Sequence, residues 1–317
     1  MAPAYSDHPL SRRAGREGEP VAARVLVWFN PSLFLPRRVH GRGLRRSLRP
    51  PGRRLRAPED QRLRGPAGDE HRRSFLVHTY EIDPDGRLAP RALCAYLQEA
   101  AGEDAARLGV SMTRLMEDRL AWVLQRLRLE VSRYPRGGET LTVTTWARRF
   151  DRAIAWRDFE VHDESGARMA AATSRWAVFD VETRRVARLP AFVRAVPVAD
   201  RPPALGLDPL APGPPTGPAG LERRFEVRRG DLDVVRHLNN TRYVEWALET
   251  VPEDVLALRR PTMVDVEFRR EALLGDTVVA RSRPSPDEGG VAFLHELRSA
   301  RGDAELARAA SRWDVLA

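Results

Sequence analysis

Regular patterning of apolar and polar positions begins only near Phe75 and then runs almost to the C-terminus. Over residues 89–108 the apolar side chains Leu93, Tyr96, Leu97 and Ala100 recur at i, i+3, i+4 and i+7, which predicts a helix with one buried stripe. After it the period changes. Leu141-Thr-Val-Thr-Thr-Trp146 alternates, the mark of an antiparallel strand with one face buried. Strands are predicted over 121–131, 140–148, 154–163 and 168–179, with Gly137-Gly138 and Glu164-Ser165-Gly166 as turns. A second set follows: a strand over 223–227, a helix over 240–250, then strands to the end.

The two sets are copies of one plan. Phe75-Leu-Val-His-Thr-Tyr-Glu-Ile-Asp83 aligns without gaps with Phe225-Glu-Val-Arg-Arg-Gly-Asp-Leu-Asp233, an offset of 150 positions that also pairs Glu99 with Glu249. Gly138-Glu139-Thr140 meets Gly275-Asp276-Thr277, and Ser174-Arg175-Trp176 meets Ser311-Arg312-Trp313, both at an offset of 137. One deletion of 13 residues between helix and next strand reconciles the matches. A strand, a helix and a run of strands, given twice, predicts an α+β tandem hotdog. In it two antiparallel sheets, each wrapped around a central helix, meet as one surface. The expected division is a disordered extension at 1–73, a first hotdog at 74–200, a Pro/Gly-rich linker at 201–220 and a second hotdog at 221–317.

Composition narrows the function less than the patterning does. The chain has 317 residues, a net charge of +9 and no Lys, so every basic side chain other than His is Arg. Residues 1–73 hold 17 Arg against seven Asp or Glu, which leaves the remainder close to neutral. That segment is rich in Arg, Pro and Gly and cannot bury enough apolar surface to offset its chain entropy. It is read as disordered, or as an extension upstream of the true start. A nucleic-acid arm is disfavoured because no aromatic residues interleave with the arginines. No uninterrupted apolar run is long enough to span a bilayer, so no membrane role is expected. The single cysteine, Cys94, rules out an intramolecular disulfide and fits a reducing, cytoplasmic protein; no metal or other cofactor is expected.

One dense polar cluster stands out: Asp231-Leu-Asp-Val-Val-Arg-His-Leu-Asn-Asn240, between a strand and a helix start. Free N–H groups of a first helical turn point at an anion there, although turn and cap chemistry uses the same residue types. The repeat separates the two readings. Copy one keeps Asp83 opposite Asp233 but has Arg87 opposite His237 and Ala89-Pro90 opposite Asn239-Asn240. A cluster needed only for the turn would be present in both copies.

Asp231-Leu-Asp-Val-Val-Arg-His-Leu-Asn-Asn-Thr-Arg-Tyr-Val-Glu-Trp-Ala-Leu-Glu249 resembles the signature of the acyl-ACP thioesterases, and Val266-Glu-Phe-Arg-Arg-Glu271 their second catalytic segment. Leu97-Gln98-Glu99-Ala100, Ala121-Trp122-Val123 and Arg133-Tyr134-Pro135 in copy one are also similar to that family. The resemblance implies hydrolysis of fatty acyl thioesters carried by acyl carrier protein, with Asp233, His237 and Glu271 catalytic. It departs from the family at Val235, where an Asn is usual, and at Ala272, where a Cys is common. The expected mechanism has His237 and Glu271 activate water and Asp233 orient it or attack directly, while Asn239 and Asn240 position substrate or oxyanion.

For the acyl chain, Leu93, Leu97, Trp122, Leu124 and Trp146 are the expected pocket, and core packing is the competing reading of each. Acyl carrier protein is acidic, so Arg148, Arg149, Arg152, Arg184, Arg185 and Arg188 are candidates for its approach surface. An acyl-CoA thioesterase of the same fold and a non-catalytic acyl-binding protein stay open as alternatives, as does a homodimer.

Overall fold

The structure, a computed structural model, describes residues 70–205, 212–213, 220–285 and 291–315; most of the expected extension and linker lie outside them. Strand β1 (His71–Leu76) leads to α1 (Pro90–Arg107) and α2 (Met112–Glu117). Four long strands follow, β2 (Leu120–Val131), β3 (Thr140–Phe150), β4 (Ile154–Asp163) and β5 (Arg168–Asp180), then short β6 (Arg185–Val186) and α3 (Ala191–Arg194). The second copy comprises β7 (Glu222–Glu226), α4 (Asn240–Leu248), α5 (Glu253–Leu258), β8 (Arg260–Phe268), β9 (Thr277–Ser285), β10 (Val291–Ser299) and β11 (Glu305–Asp314).

The strands form one sheet in the order β1-β3-β4-β5-β2-β8-β11-β10-β9-β7, so the two hotdog sheets join edge to edge at β2 and β8. That join leaves no exposed strand edge between the copies. Helices α1 and α4 lie on the inner side and share one apolar core that includes Leu93, Leu97, Leu129, Tyr243, Val264 and Leu297. No helix among the described residues is long and apolar enough to cross a membrane.

Strand register bears out the duplication residue by residue. Phe75 pairs with Leu141 and Phe225 with Val278; Leu127 pairs with Ser174 and Val264 with Ser311. Even the register slip repeats, between Leu124 and Arg126 opposite β5 and between Arg312 and Trp313 opposite β8. Phe75 stacks on Tyr96 at 4.3 Å between ring centroids, and Phe225 on Trp246 at 4.9 Å. A large side chain kept in this place in both copies locks the first strand onto its helix.

Two boundaries differ from those expected. β1 starts at His71 rather than 74, because His71 pairs with Thr145 and its imidazole meets Glu103 at 3.1 Å. Both partners are distant in sequence, so local patterning cannot reveal them. The start of the segment expected as linker is tied to the first copy: Arg201 meets Glu160, the Ala204 N–H donates to Asp158, and Leu205 is buried.

The deletion has a structural meaning. α1 has 18 residues and α4 has 9. The extra length of the first copy continues α1, while each copy keeps a six-residue helix, α2 or α5, before its next strand. α2 packs with α3 in a second, smaller apolar cluster around Leu115, Val178 and Val193.

Candidate active site

The loop before α4 is built by its own backbone. Asp233 N–H donates to the His237 carbonyl (2.8 Å), and the Asp233 carboxylate accepts from the N–H groups of Val235 (2.9 Å) and His237 (3.0 Å). The same main-chain bond joins Asp83 to Arg87 in copy one, at 2.8 Å. To close the turn, Arg236 adopts a left-handed φ of 67°, where its counterpart Gly86 has 79°. A side chain in that region costs on the order of 1 kcal/mol.

Asn239 is the N-cap of α4. Its carboxamide oxygen accepts from Thr241 N–H and Oγ, and its own N–H donates to the Asp231 carbonyl. The carboxamide oxygen and main-chain N–H of Asn239, expected to position substrate, are thus engaged in the cap, and Asn239 is not among the residues that line the cavity beside Asp233 and His237. Asn240 does line the cavity and supplies a first-turn N–H that no intrahelical carbonyl can reach.

Glu271 follows β8 and is held from both sides. Tyr243 Oη donates to the Arg270 carbonyl (3.1 Å) and accepts from Ala272 N–H (3.0 Å), so one buried phenol pins both flanks of Glu271. Leu93 occupies the equivalent position in copy one and cannot form this clamp. The Glu271 side chain is only 9% exposed, and Arg184 Nη2 lies 3.9 Å from it. Arg269, two residues before it, engages Glu267 and Glu305.

Asp233, His237, Asn240 and Glu271 line one cavity of about 400 Å³, together with Val235 and Tyr243 from the second copy. Its opposite wall is Gln98, Met112, Trp122, Leu124 and Trp176, all from the first copy. Gln98, Met112, Trp122 and Trp176 also border an adjoining chamber of about 200 Å³, whose walls include Ala105, Val110, Ala147, Phe150, Val193 and Val196. This chamber uses the extended C-terminal half of α1 and the segment around α3, which have no counterpart among the described residues of the second copy. A carboxylate–imidazole–carboxylate group next to an apolar slot can activate water against an acyl group whose chain is sequestered.

Of the residues expected in the acyl pocket, Trp122 and Leu124 line the cavities and three do not. Leu93 and Leu97 are buried in the central core, on the helix face turned to the sheet. Trp146 is also buried, under the Arg201 guanidinium at 3.8 Å from its ring centroid. The next residue, Ala147, faces the chamber, and successive strand residues point to opposite faces. Among the arginines considered for the carrier-protein face, Arg149, Arg152, Arg185 and Arg188 are exposed. Arg148 turns inward, 4.8 Å from the Trp156 ring, and Arg184 turns toward Glu271.

A pseudo-equivalent cavity of about 690 Å³ lies at the start of α1, lined by Asp83, Asp85, Arg87, Pro90, Arg260 and Trp313. Arg260 pairs there with both Asp83 and Asp85, and Tyr134 stands where the second copy has Glu271. The twin therefore has neither an imidazole nor a carboxylate free of an ion pair at those positions.

Burial raises the Asp233 pKa above the ordinary carboxylate value, with the His237 and Val235 contacts offsetting part of the rise. A raised folded-state pKa means that the unfolded chain, near 3.9, releases this proton first, so ionisation favours unfolding at neutral pH. Asp233→Asn keeps an oxygen for the two backbone donors and removes the buried charge. The variant is expected to melt higher than the parent at pH 7, with the gain shrinking toward pH 3; an equal or lower Tm at pH 7 contradicts this.

Comparison with known proteins agrees with this architecture. The acyl-ACP thioesterase N-terminal domain profile matches residues 68–196, and the C-terminal domain profile matches residues 218–315. The dodecanoyl-[acyl-carrier-protein] hydrolase of Cinnamomum camphora is 31% identical over 271 residues, 78% of this chain and 69% of the relative. The oleoyl-acyl carrier protein thioesterase 1 of Arabidopsis thaliana is 25% identical, covering 78% of this chain and 76% of the relative. The chain spans 61% of the palmitoyl-acyl carrier protein thioesterase of Cuphea hookeriana. Among solved structures, the 12:0-ACP thioesterase from Umbellularia californica superposes with a TM-score of 0.70 at 28% identity, covering 79% of this chain and 99% of that one. With both domains present in order and the fold shared, the chain belongs to the acyl-ACP thioesterase family.

Proposed function

We propose that this protein hydrolyses the thioester of fatty acyl-[acyl carrier protein], releasing free fatty acid and holo-carrier protein in fatty acid biosynthesis. The observation that carries the proposal is the meeting of Asp233, His237 and Glu271, from two separate segments of the second copy, in one cavity beside an apolar chamber. In this reading His237 and Glu271 orient a water and take its proton as its oxygen bonds to the thioester carbon. Asp233 aligns that water, or attacks first and expels the thiolate to give an acyl-aspartyl anhydride that the same water then hydrolyses. The Asn240 N–H, at the positive end of α4, meets the developing oxyanion. As the C–S bond breaks, His237 returns the proton to the pantetheine thiolate. A single buried thiol, Cys94, suits a reducing, cytoplasmic setting.

The acyl chain enters between Trp122 and Trp176 and fills the chamber of the first copy. Gly102 is exposed at the rim of that chamber, with open space where a Cβ would stand. Gly102→Leu is therefore expected to shift the preferred substrate to shorter chains while leaving the rate on the shortest ones within about threefold, since a side chain that occupies an apolar slot costs a ligand about 0.8 kcal/mol for each methylene excluded. An unchanged chain-length profile contradicts the assignment.

The function is tested with purified protein against acyl carrier proteins bearing graded acyl chains and the matched acyl-CoA esters, with fatty-acid release as readout. A preference for the carrier-protein substrates supports the proposal. Equal or better use of the CoA esters favours the acyl-CoA alternative. Tight acyl binding without turnover favours the non-catalytic one.

A further inference from the structure

Four side chains border both cavities and so form the passage between them: Gln98, Met112, Trp122 and Trp176. If the acyl chain lies in the apolar chamber and its carbonyl carbon reaches Asp233, His237 and Glu271, the chain runs through this passage and the carbonyl sits at its catalytic end, beside these four side chains. Polarising the carbonyl takes a donor. Trp122 Nε1 is committed to the Val110 carbonyl (2.8 Å) and Trp176 Nε1 to Ser174 Oγ (2.8 Å). Met112 has only a weak acceptor, and Val235, also on the cavity wall, has no hydrogen-bonding side-chain group. Gln98 alone among the passage residues brings an uncommitted donor.

The duplication points the same way. The counterpart of Gln98 is Leu248, which lines the twin cavity where Arg260 closes on Asp83. The carboxamide is thus present on the helix that faces the polar cluster and replaced by a hydrocarbon on the helix that faces the twin. Mid-helix, partly exposed Gln98 is not needed for the core, which Leu93, Leu97 and Ala100 supply.

We propose that Gln98 is a catalytic residue: its side-chain N–H donates to the substrate thioester carbonyl and, with the Asn240 N–H, carries the oxyanion. This rests on the thioesterase reading above. The first copy then does more than hold the chain, because it contributes one group to the chemistry of the second.

Two variants separate this from a structural role. Gln98→Leu copies the twin position, and Gln98→Glu keeps the shape while replacing the donor with an oxygen. Both are expected to fold with a Tm close to the parent and to lose about 100-fold in kcat with KM within threefold, as when one oxyanion donor is removed. A kcat for Gln98→Leu within threefold of the parent overturns the proposal. An infrared measurement decides the point without turnover. A carbonyl-labelled acyl-pantetheine thioester bound to His237→Ala should show its C=O stretch lowered, and adding Gln98→Leu should return it toward the free value. If the parent hydrolyses no thioester, the functional reading fails, and a bound carbonyl stretch insensitive to Gln98 overturns the present proposal separately.

Discussion

Glu271→Gln is expected to lose about 1,000-fold in kcat, equivalent to about 4 kcal/mol of transition-state stabilisation, with little change in KM. Gln is isosteric, and the clamp of Tyr243 on the neighbouring peptide groups does not involve the carboxylate. The backbone should therefore hold its position while the proton acceptor is lost. His237→Ala should fall as far, and the double variant little further, because groups that act on one water are not additive. Steady-state kinetics on acyl carrier protein substrates, with Tm as the folding control, checks this. Full activity in either single variant contradicts the assignment.

The largest expected effect on stability lies at the seam. Arg126 of β2 and Asp265 of β8 form a two-point ion pair with side chains 2% and 5% exposed, and Arg128 approaches at 3.9 Å. Burial raises the Asp265 pKa despite the arginine beside it, so desolvation outweighs attraction for that carboxylate. Removing Asp265 takes from the buried Arg126 charge its two-point carboxylate partner. Asp265→Ala is expected to cost about 3–5 kcal/mol, lowering Tm on the order of 10 °C. Replacing the pair together by Arg126→Met and Asp265→Leu should recover most of that loss, because well-packed apolar residues avoid the desolvation of two ions. Thermal melts of the three proteins decide it: a double variant no more stable than Asp265→Ala would show that the pair contributes more than it costs.

The duplication was legible because it appears as identical residues at fixed offsets: Phe75 and Phe225, Gly138 and Gly275, Trp176 and Trp313. Their strand pairings and aromatic stacks turned out equivalent. The Asp233–His237 loop was legible as a dense polar cluster present in only one copy. The chamber walls were not. Leu93, Leu97 and Trp146 are as apolar as true lining residues, and only the direction of each side chain separates core from cavity. Helix phase relative to the sheet and strand alternation around the slip at Ala147 and Arg149 set that direction, and both depend on tertiary packing. The roles of Asn239 and Asn240 also differ by one helical position, a distinction made by cap geometry rather than residue type. Gln98 was visible only as part of a motif. Its place in the passage depends on how α1 of one copy faces the loop of the other.

Among the described residues the two copies form pseudo-equivalent cavities, and the proposed reaction takes place in only one of them. A crystal structure with a non-hydrolysable acyl-pantetheine analogue tests that assignment most directly. The expected complex has the acyl chain running between Trp122 and Trp176 into the first copy, with the carbonyl among Gln98, Asn240, Asp233 and Glu271. A chain seated instead in the twin cavity, against Arg260 and Trp313, would contradict it.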